Sequence, residues 1–491
     1  MTFCEDNVDK PVRKAKILAT LGPASRQQSL IESLMKAGVN GVRINMSHGT
    51  REEQTNDIKS ARAAAAKLKQ PLAILVDLSG PKIRTRQLYE GKPVTLIAGE
   101  LFTLTTRDIV GDEKQVATNY PDLPRVVEPG SRLLLDDGAI ALMVESKTKT
   151  DVVCRVINGG VLGERKGINL PGVPLPIDSL TEKDLDDLKW AVSQNVDYIA
   201  LSFVRRAEDC ARAKALIQEA GGRAPLVAKI EKAEAIDHLD EIIATADAVM
   251  VARGDLGVET SVELVPVYQK RIIEKAVTAG KMVITATQML QSMVSSPRPT
   301  RAEASDVANA VWDGTDALML SNETASGDYP VPAVETMCRI IESAEAGKAP
   351  ETDNMKKWAG RQSGRVSRAL CEAAAFAAEE MGTRVTAVLT ESGLMARRLS
   401  ALRPGQRIIA LTNSEDVRNE LALIWGVESL IMPHAESTEE MLKVGERTLL
   451  ESGAVERGEM IVVMAGRLSG LGLSSSVTLF TVEGDIHQTV A

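Results

Sequence analysis

The sequence predicts an α/β chain: an eight-stranded βα-barrel (TIM barrel) with an all-β domain inserted in one barrel loop and a further α/β domain at its C-terminal end. Three observations carry this. Eight short, non-alternating apolar runs recur in two blocks, as strands buried on both faces do. Amphipathic segments separate most of them, the alternation of a βα-barrel. Between the third and fourth runs the texture changes to short Val-, Leu- and Thr-rich stretches broken by turn residues.

The eight runs are 17–20, 42–45, 73–77, 198–203, 226–230, 249–253, 282–287 and 318–321. Helical spacing is clearest in 28–37, 52–69, 185–194, 207–220, 233–245, 265–279 and 302–313. Thr181-x-x-Asp184 is a capping-box start, and Gly38 and Gly280 stand just past two helices. The insertion, 79–178, holds strand-like runs at 93–98, 101–106, 132–135, 139–144 and 152–156, with a turn signal at Asp137-Gly138. Removing it leaves 13–78 and 179–347, about 235 residues, close to the roughly 250 of a typical barrel. An arm, 1–12, precedes the barrel, and a polar linker, 348–364, follows it. In 365–491 a helix at 365–381 leads to runs at 385–390, 408–412, 429–432, 460–465 and 477–482. Ser437-x-x-Glu440 opens another helix there.

Composition sets the outer bounds. With 44% hydrophobic and 25% charged residues, the 491-residue chain has the make-up of a folded globular protein, which excludes wholesale disorder. A net charge of −9 argues against a nucleic-acid or anionic-membrane partner. No apolar run nears the ~20 residues of a membrane span. The five cysteines, Cys4, Cys154, Cys210, Cys338 and Cys371, are scattered and never spaced C-x-x-C, so reduced thiols in a cytoplasmic protein are expected.

A βα-barrel carries its chemistry at the C-terminal ends of its strands. Those positions hold Asn45, Ser47 and His48; Asp77; Ser202 and Arg205; Lys229 and Glu231; Arg253, Gly254 and Asp255; Thr287 and Gln288; Ser321 and Glu323. Alternation puts Lys229 and Glu231 on one side of their strand. Glu231 and Asp255 suit an octahedral Mg²⁺ that keeps waters and takes substrate oxygens, and Lys229 would face a developing oxyanion. A strand-end salt bridge is the plainer alternative. Residues 253–257 form a Gly-bearing turn leading toward a helix, whose N–H groups can hold a carboxylate or phosphate or can be purely structural. His48 follows Arg43, Asn45 and Ser47 at the same mouth, and Arg84 lies where a lid could swing, though a solvated surface arginine would look the same. Neither a P-loop nor a Rossmann fingerprint is present.

These residues sit in a series of spaced motifs. They are Val42-Arg43-Ile44-Asn45-Met46-Ser47-His48, Asp77-Leu78-Ser79-Gly80-Pro81-Lys82-Ile83-Arg84, Lys166-Gly167-Ile168-Asn169-Leu170-Pro171-Gly172 and Lys229-Ile230-Glu231. Ala252-Arg253-Gly254-Asp255-Leu256-Gly257, Ala286-Thr287-Gln288-Met289-Leu290, Arg298-Pro299-Thr300-Arg301-Ala302-Glu303 and Leu320-Ser321-Asn322-Glu323-Thr324-Ala325 continue the series. From about Arg13 to its end, the chain resembles pyruvate kinase. The resemblance implies phosphoryl transfer from phosphoenolpyruvate to ADP, giving pyruvate and ATP, the last step of glycolysis. It implies Mg²⁺ (or Mn²⁺) on Glu231 and Asp255, and a second Mg²⁺ arriving with the nucleotide. It implies Lys229 and Arg43 on the phosphoryl group, and Gly254, Asp255 and Thr287 at the substrate carboxylate. Asn45, His48, Arg84 and Lys166 fall on the nucleotide side, and Thr287, Ser321 and Glu323 where the enolate carbon is protonated. The insertion becomes a lid over the nucleotide. A Mg²⁺-dependent, enolate-forming lyase or aldolase on the same barrel is the alternative, needing neither Arg84, Lys166 nor a lid. A non-catalytic binding protein would have damaged Lys229, Glu231 or Asp255, and none is damaged.

Three further expectations follow from the resemblance. Many relatives bind K⁺ at the positions of Asn45, Ser47 and Asp77, helped by a Thr, and carry a Glu where Lys82 stands. Here the Thr position is Leu78, and the Lys82 ammonium can replace the ion, so K⁺ independence is expected. The family assembles as homotetramers. Thr390, Ser392 and Gly393 at a helix start could hold one effector phosphate; Glu391, Leu394 and Met395 supply no donors, so a second has no obvious partner except Arg467 in a Gly-rich loop. A sugar monophosphate or AMP is therefore expected as effector rather than fructose 1,6-bisphosphate.

Overall fold

The computed structural model describes residues 12–173, 175–347, 365–435, 437–465 and 476–483. The arm before Val12, the linker 348–364 and Arg467 with its loop lie outside them.

The barrel strands are β1 (Lys16–Thr20), β2 (Gly41–Asn45) and β3 (Ala73–Asp77), then, after the insertion, β12 (Tyr198–Leu201), β13 (Leu226–Ile230), β14 (Ala248–Ala252), β15 (Met282–Ala286) and β16 (Ala317–Leu320). They pair in parallel and close as β1-β16-β15-β14-β13-β12-β3-β2. Alternation sorts their side chains. Leu18, Leu75, Tyr198, Val227, Met250, Ile284 and Met319 fill the interior. Ile17, Ile74, Ile199, Ala228, Val249, Val283 and Leu318 pack outward against the helices. Burial on both faces is why these strands are continuous apolar runs.

The insertion folds as strands β4 (Val94–Leu96), β5 (Leu101–Thr105), β6 (Gln115–Ala117), β7 (Arg132–Leu135), β8 (Ile140–Lys147), β9 (Asp151–Asn158), β10 (Gly160–Leu162) and β11 (Ile168–Asn169). Six make one sheet, β11-β7-β8-β9-β5-β6, and β10 pairs with β4. Its core, around Phe102, Leu104, Leu133 and Val152, is separate from that of the barrel. Asp136, Asp137 and Gly138 all take positive φ at the turn between β7 and β8.

The C-terminal unit has a sheet of β17 (Val385–Leu389), β18 (Arg407–Thr412), β19 (Val427–Ile431), β20 (Met460–Ala465) and β21 (Ser476–Thr481), ordered β19-β18-β17-β20-β21 with only β21 antiparallel. It caps the barrel floor. The barrel-interior side chains and Leu399, Leu421 and Ile424 belong to one continuous core. Tyr198 Oη donates to Glu420 O at 2.6 Å, and the buried Lys16 Nζ donates to Val427 O at 2.8 Å.

Thr181 caps Glu182–Ser193 with a full capping box, and Ser437 caps Thr438–Glu451. The structure also differs from expectation. The segment 233–245 is two helices, Ala233–Asp237 and Leu239–Thr245, broken at His238. The turn after β14 is already helix, Arg253–Glu259. Strands β6, β10 and β11 and helices Pro330–Ala346 and Glu415–Leu421 are additional.

Candidate active site

The alternation that points Leu75 inward points Asp77 inward one layer higher, at the C-terminal mouth. Thr20, Arg43, Ser202 and Lys229 join that layer. Asp77 is buried between two cations: Arg43 Nε donates to its Oδ2 at 2.7 Å, and Lys229 Nζ lies 3.2 Å from its Oδ1. Lys229 Nζ also donates to Ser202 Oγ at 2.6 Å and stands 2.9 Å from Glu231 Oε1. Ser202 Oγ donates in turn to Leu78 O at 2.7 Å, and Arg43 Nη1 donates to Thr20 Oγ1 at 3.2 Å. The arrangement is a chain of alternating charge, Arg43–Asp77–Lys229–Glu231, with almost no solvent on it. Reading strand ends grouped two of its members, Lys229 and Glu231, with Asp255, and listed Asp77 and Arg43 apart from them. It missed Thr20 and gave Ser202 no role, although strict alternation up from Leu18 and Ala200 reaches both.

Burial opposes the charge on Lys229, but Asp77 and Glu231 outweigh it, so its ammonium is held above the ordinary lysine range. Burial pushes the Asp77 carboxyl up, and Lys229 and Arg43 pull harder, leaving it below the usual carboxylate range. At Glu231 burial wins: its carboxyl is lifted, with Lys229 opposing and Asp255 adding to the rise. The ion pair with Lys229 is real, yet Glu231 Oε1 is a buried oxygen without a hydrogen bond. Asp255, half-buried in the first turn of Arg253–Glu259, also lacks a hydrogen bond or ion pair among the described residues.

Two mutually repelling carboxylates, one with a buried oxygen that meets only the Lys229 ammonium, fit a divalent cation. No group of three His, Cys, Asp or Glu forms a metal cage among the described residues. The pair therefore suits a hard cation that completes its shell with waters and substrate oxygens, as Mg²⁺ does.

Beside this pair the backbone leaves the ordinary regions. Thr287 and Gln288 take φ of 70° and 55°, a cost of roughly 1–2 kcal/mol each. That turn brings Thr287 Oγ1 to 2.7 Å from Gly254 N, so the expected carboxylate donors are engaged with each other. Glu323, fully buried, accepts from Ser321 N at 2.7 Å and Leu290 N at 3.0 Å, while Ser321 Oγ is buried without a partner. Arg253 is not aimed at substrate: it binds Asp306, at 2.7 Å, and the carbonyls of Ala286 and Thr287.

The nucleotide-side candidates lie at the rim. His48 is exposed, and burial of its ring, then Arg84, Lys82 and Arg43, push its pKa down. Asn45 Oδ1 accepts from Ser47 N at 3.0 Å. Arg84 Nη1 donates to Arg165 O at 3.2 Å, and Lys166 pairs with Asp136 at 2.9 Å inside the inserted domain. Lys82 is half-exposed, and its charge reaches both Glu231 and His48. Far below, Thr390 is buried with its hydroxyl accepting from Gly393 N at 2.9 Å, and Ser392 is exposed.

Comparison with known proteins meets this geometry. Residues 12–334 match the family model described as the pyruvate kinase barrel domain, and residues 368–477 match its alpha/beta domain. A pyruvate kinase of Bacillus licheniformis is 42% identical over 482 residues, 97% of this chain and 81% of that one. One from Clostridium acetobutylicum is 41% identical, covering 93% and 96%. A crystal structure of a pyruvate kinase from Cryptosporidium parvum superposes with a TM-score of 0.88 at 34% identity, over 96% of both chains. Likeness of this extent in sequence and fold together has one source: the chain belongs to the pyruvate kinase family.

Proposed function

We propose a division of labour at the barrel mouth for the reaction of this family, transfer of the phosphoryl group of phosphoenolpyruvate to ADP to give pyruvate and ATP. The observation that carries it is the buried Lys229 ammonium, held charged between Asp77 and Glu231 at the strand ends. Phosphoryl transfer needs positioning and charge neutralisation, not a protein nucleophile. Lys229 and Arg43 supply fixed positive charge to the phosphoryl group and to the enolate oxygen left behind. Because Asp77 orients both cations before substrate arrives, little reorganisation remains for the reaction itself. Glu231 and Asp255 would hold Mg²⁺, which supplies Lewis-acid polarisation of phosphoryl and enolate oxygens when bound. Gly254 N–H and Thr287 exchange their mutual hydrogen bond for the substrate carboxylate. Ser321 and Glu323, with Thr287, line the path by which a proton reaches the enolate carbon. The unpartnered Ser321 hydroxyl supports that reading. Asn45, His48, Arg84 and Lys166 face the nucleotide under the lid. A coupled assay with phosphoenolpyruvate, ADP and Mg²⁺ tests the reaction; a barrel lyase or aldolase would consume a pyruvate enolate without ADP.

Lys82 takes the place of a monovalent cation, which its reach to Glu231 and His48 supports. A cytoplasmic location is our reading from the scattered cysteines, never spaced C-x-x-C; no described helix is long and apolar enough to cross a membrane. It assembles as a homotetramer, so light scattering should give about four times 52.7 kDa. A monophosphate, either a sugar monophosphate such as glucose 6-phosphate or ribose 5-phosphate, or AMP, activates it at Thr390, Ser392 and Gly393. Ser392→Asp should abolish that activation, and fructose 1,6-bisphosphate should act less strongly.

A further inference from the structure

A cleft of about 710 Å³ lies at the opposite end of the barrel from the chemistry. Its barrel wall is the loops entering β13, β14 and β15, with Tyr198 at the start of β12. Its other wall is the helix Leu394–Ala401 and Glu420 of the C-terminal domain. Lys214, Arg223, Lys281, Arg368, Arg397 and Arg398 line it, against only two carboxylates, Asp247 and Glu420.

Carboxylates cancel only part of this charge. Asp247 pairs with Lys214 at 2.7 Å, and Glu420 pairs with Arg397. Arg223 and Arg368 find Asp416 and Glu372 beyond the cleft wall. Arg398, half-buried, engages no hydrogen bond or ion pair among the described residues. Guanidinium forks and ammonium groups gathered in a partly desolvated cleft match phosphate oxygens. Ile217, Pro225, Ile424 and Leu394, which is 46% exposed, give the same cleft an apolar side. A volume of this size holds a small metabolite, while inorganic phosphate alone would leave it mostly water-filled.

We infer that this cleft binds a phosphorylated metabolite, the phosphate among Arg398, Lys214 and their cationic neighbours and the organic part against the apolar side. It is a different site from residues 390–393: it needs barrel residues, which that loop does not.

The test is calorimetric titration of the full-length, Mg²⁺-loaded enzyme with AMP, ribose 5-phosphate and inorganic phosphate. At least one organic phosphate should bind with a sub-millimolar Kd. Arg398→Ala and, on the other wall, Lys214→Gln should each weaken it about tenfold, since each removes one charge-assisted contact. Ser392→Asp should leave that binding within twofold, and turnover without the ligand should be unchanged in Arg398→Ala. Arg398→Lys, which keeps the charge, should retain most of the affinity and guards against a folding artefact. No organic phosphate binding, binding by inorganic phosphate alone, or binding lost in Ser392→Asp but indifferent to Arg398 and Lys214 would each overturn the assignment.

Discussion

Lys232 Nζ and Glu259 Oε1 meet at 2.6 Å, with side chains only 12% and 5% exposed, and the same oxygen accepts from Asn169 Nδ2 of the inserted domain at 3.0 Å. Lys232 directly follows Glu231, and Glu259 lies one helical turn beyond Asp255. One carboxylate thus fastens together the two elements that carry the proposed metal ligands, and the inserted domain to both. Breaking a buried pair by removing one partner costs about 3–5 kcal/mol. Glu259→Gln, which keeps the shape, is expected to lower kcat about tenfold and to raise the Mg²⁺ concentration at half-maximal rate. Asn169→Ala should raise KM for ADP while leaving Tm nearly unchanged. Steady-state kinetics against Mg²⁺ and ADP check both, and unaltered Mg²⁺ dependence in Glu259→Gln would refute the positioning role.

Lys229→Met should lose about 10²–10³ in kcat, the usual cost of removing a preorganised electrostatic contact. Phosphoenolpyruvate binding should survive, because the charge matters most in the transition state. The variant also leaves Asp77 with Arg43 alone, so a lower Tm is expected. Near-normal turnover contradicts the assigned role.

Wild-type activity should not respond to K⁺ over a tetramethylammonium salt at matched ionic strength. Lys82→Glu should create partial K⁺ dependence, since it removes a fixed cation near Glu231 and adds a carboxylate. Strong activation of the wild type by K⁺ would exclude replacement of the ion by Lys82.

Asp197 lies buried under β3, its Oδ2 accepting from Ile74 N at 2.7 Å. Burial raises its pKa from 3.8 to about 7; the backbone hydrogen bond from Ile74 and the charge of Arg62 oppose, and Glu420 adds. A raised folded-state pKa means that the folded protein binds the extra proton between about pH 4 and 7. Its contribution to stability is therefore full at the acid end and lost as pH rises through 7, a swing of a few kcal/mol. Asp197→Asn keeps an acceptor for Ile74 N and removes the charge. It should be more stable than wild type at pH 8, with the difference shrinking by pH 5, in denaturant titrations at the two pH values.

The barrel was legible because its strands are buried on both faces, which leaves no alternation to confuse them with surface strands. Glu231, Lys229 and Asp255 were legible for the converse reason: charge is rare along those runs and gathers where they end. Strands β10 and β11, of three and two residues, carry no pattern of their own and are set by their partners Val94–Leu96 and Leu134–Leu135. The left-handed backbone at Thr287 and Gln288 was hidden because neither is a residue type that signals positive φ. Glu259 and Lys232 gave no sign either, since their partnership crosses from one strand end to the next.

The strand β12 is only four residues long, about 13 Å at the usual rise. Tyr198 at its lower end is hydrogen-bonded to the C-terminal domain, and Ser202, just past its upper end, holds the ammonium of Lys229. One short strand thus ties the C-terminal domain to the lysine's hydroxyl seat, so a displacement of Glu420 that drew on Tyr198 would be carried toward Ser202. A bulge or glycine inserted at Ala200 would loosen that tie without touching either end.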